Sequence, residues 1–177
     1  MALSDRLQRF LNEQRIEHQI LPHRETFTAQ EVAATSHVPG RQLAKVLIVR
    51  EEDGSHLMVV LPAPCRVDLT ALKDATGKRK LSLAAESELA RLFPDCQIGA
   101  MPPFGNLYDL PVYIDACFPR AQDFFFQAGN HHEVVRVGYR EYEQAVKPVA
   151  GEFCLHERER SAGEGGVDKT YTEEESP

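Results

Sequence analysis

The sequence predicts an α+β fold, a mixed and mostly antiparallel barrel-like sheet flanked by helices, in one domain over residues 1–155 followed by an acidic tail over 156–177. Three observations predict it. Helical and strand-like segments interleave irregularly, unlike the regular strand-helix-strand order of a doubly wound fold. Two apolar runs flank Asp53-Gly54, a turn short enough to demand antiparallel pairing. The 177 residues, 42% hydrophobic and 27% charged, suit one ordinary core and exclude a fibrous or wholly disordered chain.

The elements follow in order. Leu3, Leu7, Phe10 and Leu11 recur at helical spacing over residues 3–14, which predicts an amphipathic opening helix. Residues 17–21 alternate polar and apolar up to Pro22, and Thr28-Ala29-Gln30-Glu31 matches a capping box that opens a second helix. The Pro39-Gly40 pair ends it. Lys45-Val46-Leu47-Ile48-Val49 and residues 56–61 form the hairpin around Asp53-Gly54. Asp68 caps a helix that stops at Gly77, residues 81–83 enter a short strand, and residues 85–93 are helical up to Pro94. Residues 98–105 hold too much Gly and Pro for helix or central strand. Strands at 111–116, 123–127 and 133–137 and a helix at 139–146 complete the domain.

The formal charge of −7 argues against binding nucleic acid through bulk charge. More than half of it lies in residues 156–177, where seven acids face three bases, and this composition predicts a disordered tail. Runs such as residues 57–61 are far shorter than the ~18 residues of a membrane span. Charges at Asp5 and Arg6 interrupt any signal peptide, so a cytoplasmic protein is expected. Cys65, Cys96, Cys117 and Cys154 form no C-x-x-C pair, and separate reduced thiols without a role are expected.

Four segments offer chemistry, each beside a plainer reading. Lys45 opens the most apolar strand, where an ammonium is costly without a task or partner; the alternative is a strand-end lysine that reaches water. The loop of Gly99, Ala100, Met101, Pro102 and Pro103 can present main-chain N–H groups to a ligand carbonyl, or simply cover the core. Gly129-Asn130-His131-His132-Glu133 offers a binding role for Asn130 or His131, or a polar turn. No metal is expected there, since adjacent residues of an extended segment face opposite ways. Gly77-Lys78-Arg79-Lys80 could hold an RNA or nucleotide phosphate, although a solvated turn is the stronger reading. Phosphate-loop fingerprints and a G-x-S-x-G elbow are absent from the sequence.

In order along the chain, residues 28–33, the stretch Gly40-Arg41-Gln42-Leu43-Ala44-Lys45-Val46-Leu47-Ile48-Val49, the loop Gly99-Ala100-Met101-Pro102-Pro103-Phe104-Gly105 and Phe126-Gln127-Ala128-Gly129-Asn130-His131 resemble the YbaK/ProX family. These are stand-alone relatives of the editing domain of prolyl-tRNA synthetase, and the resemblance spans about residues 3–150. It implies the editing-domain fold and a trans-editing aminoacyl-tRNA deacylase that removes a small amino acid, of the Ala, Cys or Ser type, from a mischarged tRNA, tRNA-Pro foremost. By resemblance the essential lysine is Lys45, the substrate loop is 99–103, and His23, Asn130 and His131 line the pocket. It implies no metal or cofactor and no membrane or DNA partner. The tRNA would be touched at its 3′ end and delivered by prolyl-tRNA synthetase or an elongation factor. Val46 departs from relatives that carry a polar residue after the lysine. The rival reading is a non-catalytic module that binds an aminoacyl group or tRNA end as sensor or adaptor.

Overall fold

The computed structural model describes residues 3–155, so the tail expected at 156–177 lies outside the described residues. Helix α1 (Asp5–Glu13) buries Leu7 and Leu11 completely and is followed by β1 (Gln19–Pro22). Helix α2 (Ala29–Ser36) starts at the expected capping box: the Glu31 N–H donates to the Thr28 hydroxyl at 3.1 Å, while the Thr28 N–H donates to Glu31 Oε2 at 3.3 Å. Strands β2 (Ala44–Glu51) and β3 (His56–Pro62) form the expected hairpin, with Lys45 opposite Leu61.

Next come β4 (Arg66–Val67), α3 (Leu69–Thr76), β5 (Leu81–Leu83) and α4 (Glu86–Leu92). Asp68 caps α3 by accepting the Thr70 and Ala71 N–H groups, and Gly77 ends it, as the sequence indicates. Strands β6 (Val112–Asp115), β7 (Asp123–Gln127) and β8 (Glu133–Gly138) lead into α5 (Tyr139–Val146), then β9 (Val149–Gly151) and β10 (Cys154–Leu155).

The sheet is mixed but does not close. Among the described residues it is three sheets, ordered β5-β2-β3-β6-β9, β1-β8-β7 and β10-β4. Pairing is antiparallel except for β3 with β6 and β6 with β9, which long crossovers make parallel. A single parallel bridge, Leu43 to Phe125, links the start of β2 to β7. The largest core cluster packs Phe104, Phe124, Phe126 and Tyr142 together, with Phe124 and Tyr142 ring centroids 4.3 Å apart.

One expectation is corrected outright. Cys65 and Cys154 form a disulfide across a sequence separation of 89 residues. Cys154 pairs with Val67 in β10–β4, two residues from Cys65. That long-range pairing of two-residue strands accompanies the bond, and neither strand has a periodicity the sequence could display. Cys96 and Cys117 are not part of a disulfide.

Candidate active site

After Gln127 the chain turns through residues 128–132 into β8. Asn130 builds this turn: it is fully buried, its Oδ1 accepts the His132 N–H at 2.8 Å and its Nδ2 donates to Glu133 Oε2 at 3.2 Å. Gly129 has φ +99, and a Cβ there would sit 3.4 Å from the Ser4 Cβ, so the left-handed turn suits glycine. Its N–H donates to the Ala100 carbonyl at 2.7 Å, and its carbonyl accepts the Gln97 N–H at 2.8 Å. The two segments that the sequence singled out separately are therefore one unit.

His131 sits on that unit, 4% exposed. Its N–H donates to Gln97 Oε1 at 3.0 Å, and its Nε2 lies 2.9 Å from the Ile98 carbonyl oxygen. A carbonyl can only accept, so Nε2 carries the proton and Nδ1 keeps the lone pair. Nδ1 is buried without a hydrogen-bond partner. Burial lowers the His131 pKa from the ordinary 6.5, outweighing the Ile98 hydrogen bond, which acts to raise it, so the surroundings favour the neutral ring. Phe27, 47% exposed, packs on the ring at a centroid distance of 4.9 Å. His23 joins from the segment after β1: its N–H donates to the His132 carbonyl at 2.7 Å, and its Nε2 is also buried without a partner.

The loop is less open than the sequence suggests. Gly99 is exposed, with φ +88, and a Cβ on it would stand 3.5 Å from His131 Cε1. Its N–H meets only the Met101 thioether sulfur, at 3.3 Å, a weak acceptor. The Ala100 N–H, the other expected donor to substrate, is engaged by the Gln97 carbonyl at 3.0 Å. Ala100, Met101, Pro102 and Pro103 are all buried; Met101 packs into the main core and the Pro103 carbonyl accepts the Tyr142 hydroxyl at 2.6 Å. These residues shape the loop from beneath. Their Gly/Pro content revealed a bent backbone but not which face turns inward.

Lys45 is half-buried on β2, and its Nζ donates to the Cys65 carbonyl oxygen. The parallel Leu43–Phe125 bridge fixes its place relative to the turn. The bridge lies two residues before Lys45 on one side and two residues before Gln127, the last residue of β7, on the other. Gln127 is 9% exposed, and its Nε2 is buried without a partner. Sequence reasoning missed Gln127, Gln97 and Phe27 as site residues; Gln127 lay inside a quoted motif without a role, and nothing marked the other two.

The two lysines of the basic run at 77–80 pair with the β2–β3 turn, Lys78 Nζ 2.8 Å from Glu51 and Lys80 Nζ 3.2 Å from Glu52. The solvated-turn reading fits it. No helix among the described residues is long and apolar enough to cross a membrane.

The aminoacyl-tRNA editing domain family matches residues 23–145. The prolyl-tRNA editing protein ProX of Acetoanaerobium sticklandii is 26% identical over 148 residues, covering 81% of this chain and 90% of that protein. The multifunctional Ser/Thr-tRNA deacylase ProXp-y of Escherichia coli is 25% identical over 152 residues, covering 84% and 90%. A solved structure described as a candidate trans-editing enzyme for prolyl tRNA synthetase superposes with a TM-score of 0.73 at 22% identity, over 86% of this chain and 96% of that one. The chain belongs to the aminoacyl-tRNA editing domain family.

Proposed function

We propose that the chain is a trans-editing aminoacyl-tRNA deacylase that hydrolyses the ester of a small amino acid, of the Ala, Cys or Ser type, on a mischarged tRNA, with tRNA-Pro as first substrate. The observation that carries this reading is the match to the aminoacyl-tRNA editing domain family, and the Leu43–Phe125 bridge supports it by bringing the start of β2, where Lys45 lies, against the strand that leads into the Gln127–His131 turn. An aminoacyl ester is already activated, so the protein must position it and stabilise the oxyanion formed as the nucleophile attacks.

Lys45 Nζ donates to the aminoacyl carbonyl or the terminal ribose. The Gly99 N–H, exchanging a thioether for an oxyanion, is the main-chain donor. His131 Nδ1 accepts from the substrate ammonium or a ribose hydroxyl, and His23 Nε2 stands as a second acceptor. Asn130, Ala100, Met101, Pro102 and Pro103 hold these groups in place. A small pocket admits the small wrong amino acid, because one methylene is worth only ~1–3 kcal/mol and a synthetase needs a second site. With a net charge of −7, the protein grips the tRNA body weakly and receives it from a synthetase or elongation factor.

The test is a deacylation time course on tRNAs charged with Ala, Cys, Ser, Thr and Pro, with chelator in parallel. Lys45→Ala is expected to slow the hydrolysed member by about 10²–10³, the loss of one oxyanion donor. Turnover of none, alongside binding of a non-hydrolysable aminoacyl-adenosine analogue, overturns the enzyme in favour of a binding module. Full activity in Lys45→Ala overturns the assignment of the lysine.

A further inference from the structure

Three of the four cysteines meet at one place. Cys65 and Cys154 are bonded, with Cα atoms 5.4 Å apart. Cys117 lies exposed in the turn after β6, and its sulfur, the Cys154 sulfur and an Asp115 carboxylate oxygen are all within 4.8 Å of one another. Asp115, 1% exposed, organises them. One of its oxygens accepts the Cys117 N–H at 2.9 Å and the other accepts the Phe153 N–H at 2.8 Å, so a single buried carboxylate clamps both cysteine-bearing segments. Cys65, 2% exposed, is the inner end of the bond, packed with Leu47, Val59 and Leu61, and its carbonyl is the acceptor for Lys45.

We propose that Cys117, Cys154 and Cys65 form a thiol–disulfide exchange site, open to external thiols and disulfides, whose pairing state reaches Lys45 through the Cys65 carbonyl. That Lys45 is the catalytic lysine rests on the function proposed above. In the exchange Cys117 releases its proton to solvent and its thiolate attacks the Cys154 sulfur. A Cys117–Cys154 bond forms as the Cys65–Cys154 bond breaks, and the electron pair leaves with the Cys65 sulfur, which takes a proton from solvent. No outside oxidant is needed. The product is a buried Cys65 thiol, which behaves as a small apolar group in that cluster.

The charged groups facing the Cys117 sulfur are Asp115 from its own strand and Glu152 from the segment between β9 and β10; burial first, then the Asp115 hydrogen bond and both charges, push the thiol up to about 11. Exchange is therefore slow at neutral pH and quickens as pH rises toward that value. Once released from Cys154, Cys65 keeps its N–H bond to the Pro62 carbonyl, at 2.9 Å, but loses its covalent tie to β10. Its carbonyl then holds Lys45 less firmly.

Two readouts test this on the full chain. First, wild type and Cys117→Ser are oxidised, incubated at about pH 8.5, acid-quenched and mapped by non-reducing peptide mass spectrometry. A Cys117–Cys154 peptide beside the Cys65–Cys154 one is expected in wild type, with only the latter in Cys117→Ser. Its absence from wild type, or failure of Cys65 and Cys154 to cross-link, overturns the exchange. Second, acylation of the Lys45 amine by trace acetic anhydride is compared before and after dithiothreitol and in Cys154→Ser, with Lys73 and Lys147 as internal references. A change of about threefold or more is expected, as a weakened hydrogen bond gives; an unchanged rate overturns the transmission. Neither readout uses tRNA. If Lys45 reactivity shifts while no charged tRNA is hydrolysed in either state, the editing reading fails and the exchange site stands; if hydrolysis depends on Lys45 but neither readout moves, the reverse holds.

Discussion

Two histidines, His56 and His131, are both shielded from solvent, yet their surroundings differ in completeness. His56 Nε2 meets Glu88 Oε1 at 3.0 Å; the same carboxylate accepts the Ala85 N–H at 2.6 Å and reaches Arg50 at 3.5 Å. One acid thereby closes the start of α4 and ties it to β2 and β3. The Ala85 hydrogen bond, then His56, hold the Glu88 carboxyl below its usual range. His131 is supported on one nitrogen only, and its Nδ1 is buried without a hydrogen-bond partner. A satisfied polar group does structural work; the unsatisfied buried one, with similarly unpaired atoms on Gln127 and His23, is where a ligand would complete the network in the function proposed above.

Substitutions separate the two cases. The largest effect after Lys45→Ala belongs to His131→Ala, which frees the Ile98 carbonyl and removes the open acceptor; deacylation is expected to fall about tenfold or more, the loss of an interaction of ordinary charged-hydrogen-bond strength. Its stability profile sharpens the contrast. A histidine whose folded pKa is depressed favours the native state above its unfolded pKa of 6.5, and this contribution is lost as pH falls from there toward the folded value. That window should flatten in His131→Ala, measured by thermal melts from pH 7 downward.

Tyr142→Phe removes the donor to the Pro103 carbonyl beneath the loop and should cost about 1–3 kcal/mol in denaturant unfolding, because a buried acceptor is left unpaired. A variant as stable as wild type would show that the loop is held by packing alone. Glu88→Ala should lower the melting temperature by several degrees with full deacylation, and should remove acid sensitivity below pH 4.5, where a depressed carboxyl otherwise loses its contribution as it protonates. Lost activity in that variant would erase the distinction between the two histidine sites. Removing residues 156–177 should leave the melting temperature unchanged, and a large drop would assign the tail to the fold.

Much of this architecture is legible in single residues. Thr28 and Glu31 announce α2, Asp68 and Gly77 bracket α3, and Asp53-Gly54 turns the β2–β3 hairpin, because caps and turns are local chemistry. Strands β4, β9 and β10, two or three residues each, are too short to show a period. The disulfide depends on them and was lost with them. Of the residues the motifs indicated, Gly99 is exposed and Lys45 half-buried, whereas His131, Asn130 and residues 100–103 lie buried. Motif spacing selects segments, but which side of a bent segment faces the ligand is decided by the packing of Tyr142, Met101 and Gly129.

The pairing of β1 with β8, Gln19 opposite Arg136, has a consequence for synthesis. The strand that backs the His131 turn on one side is among the first made, and its partner emerges more than a hundred residues later. At about 5–20 residues per second on a ribosome, β1 waits roughly 6–23 s without its partner. The β2–β3 hairpin that carries Lys45 is complete long before then, so the His131 side of the molecule is the last to assemble and β1 is the strand left unpaired longest.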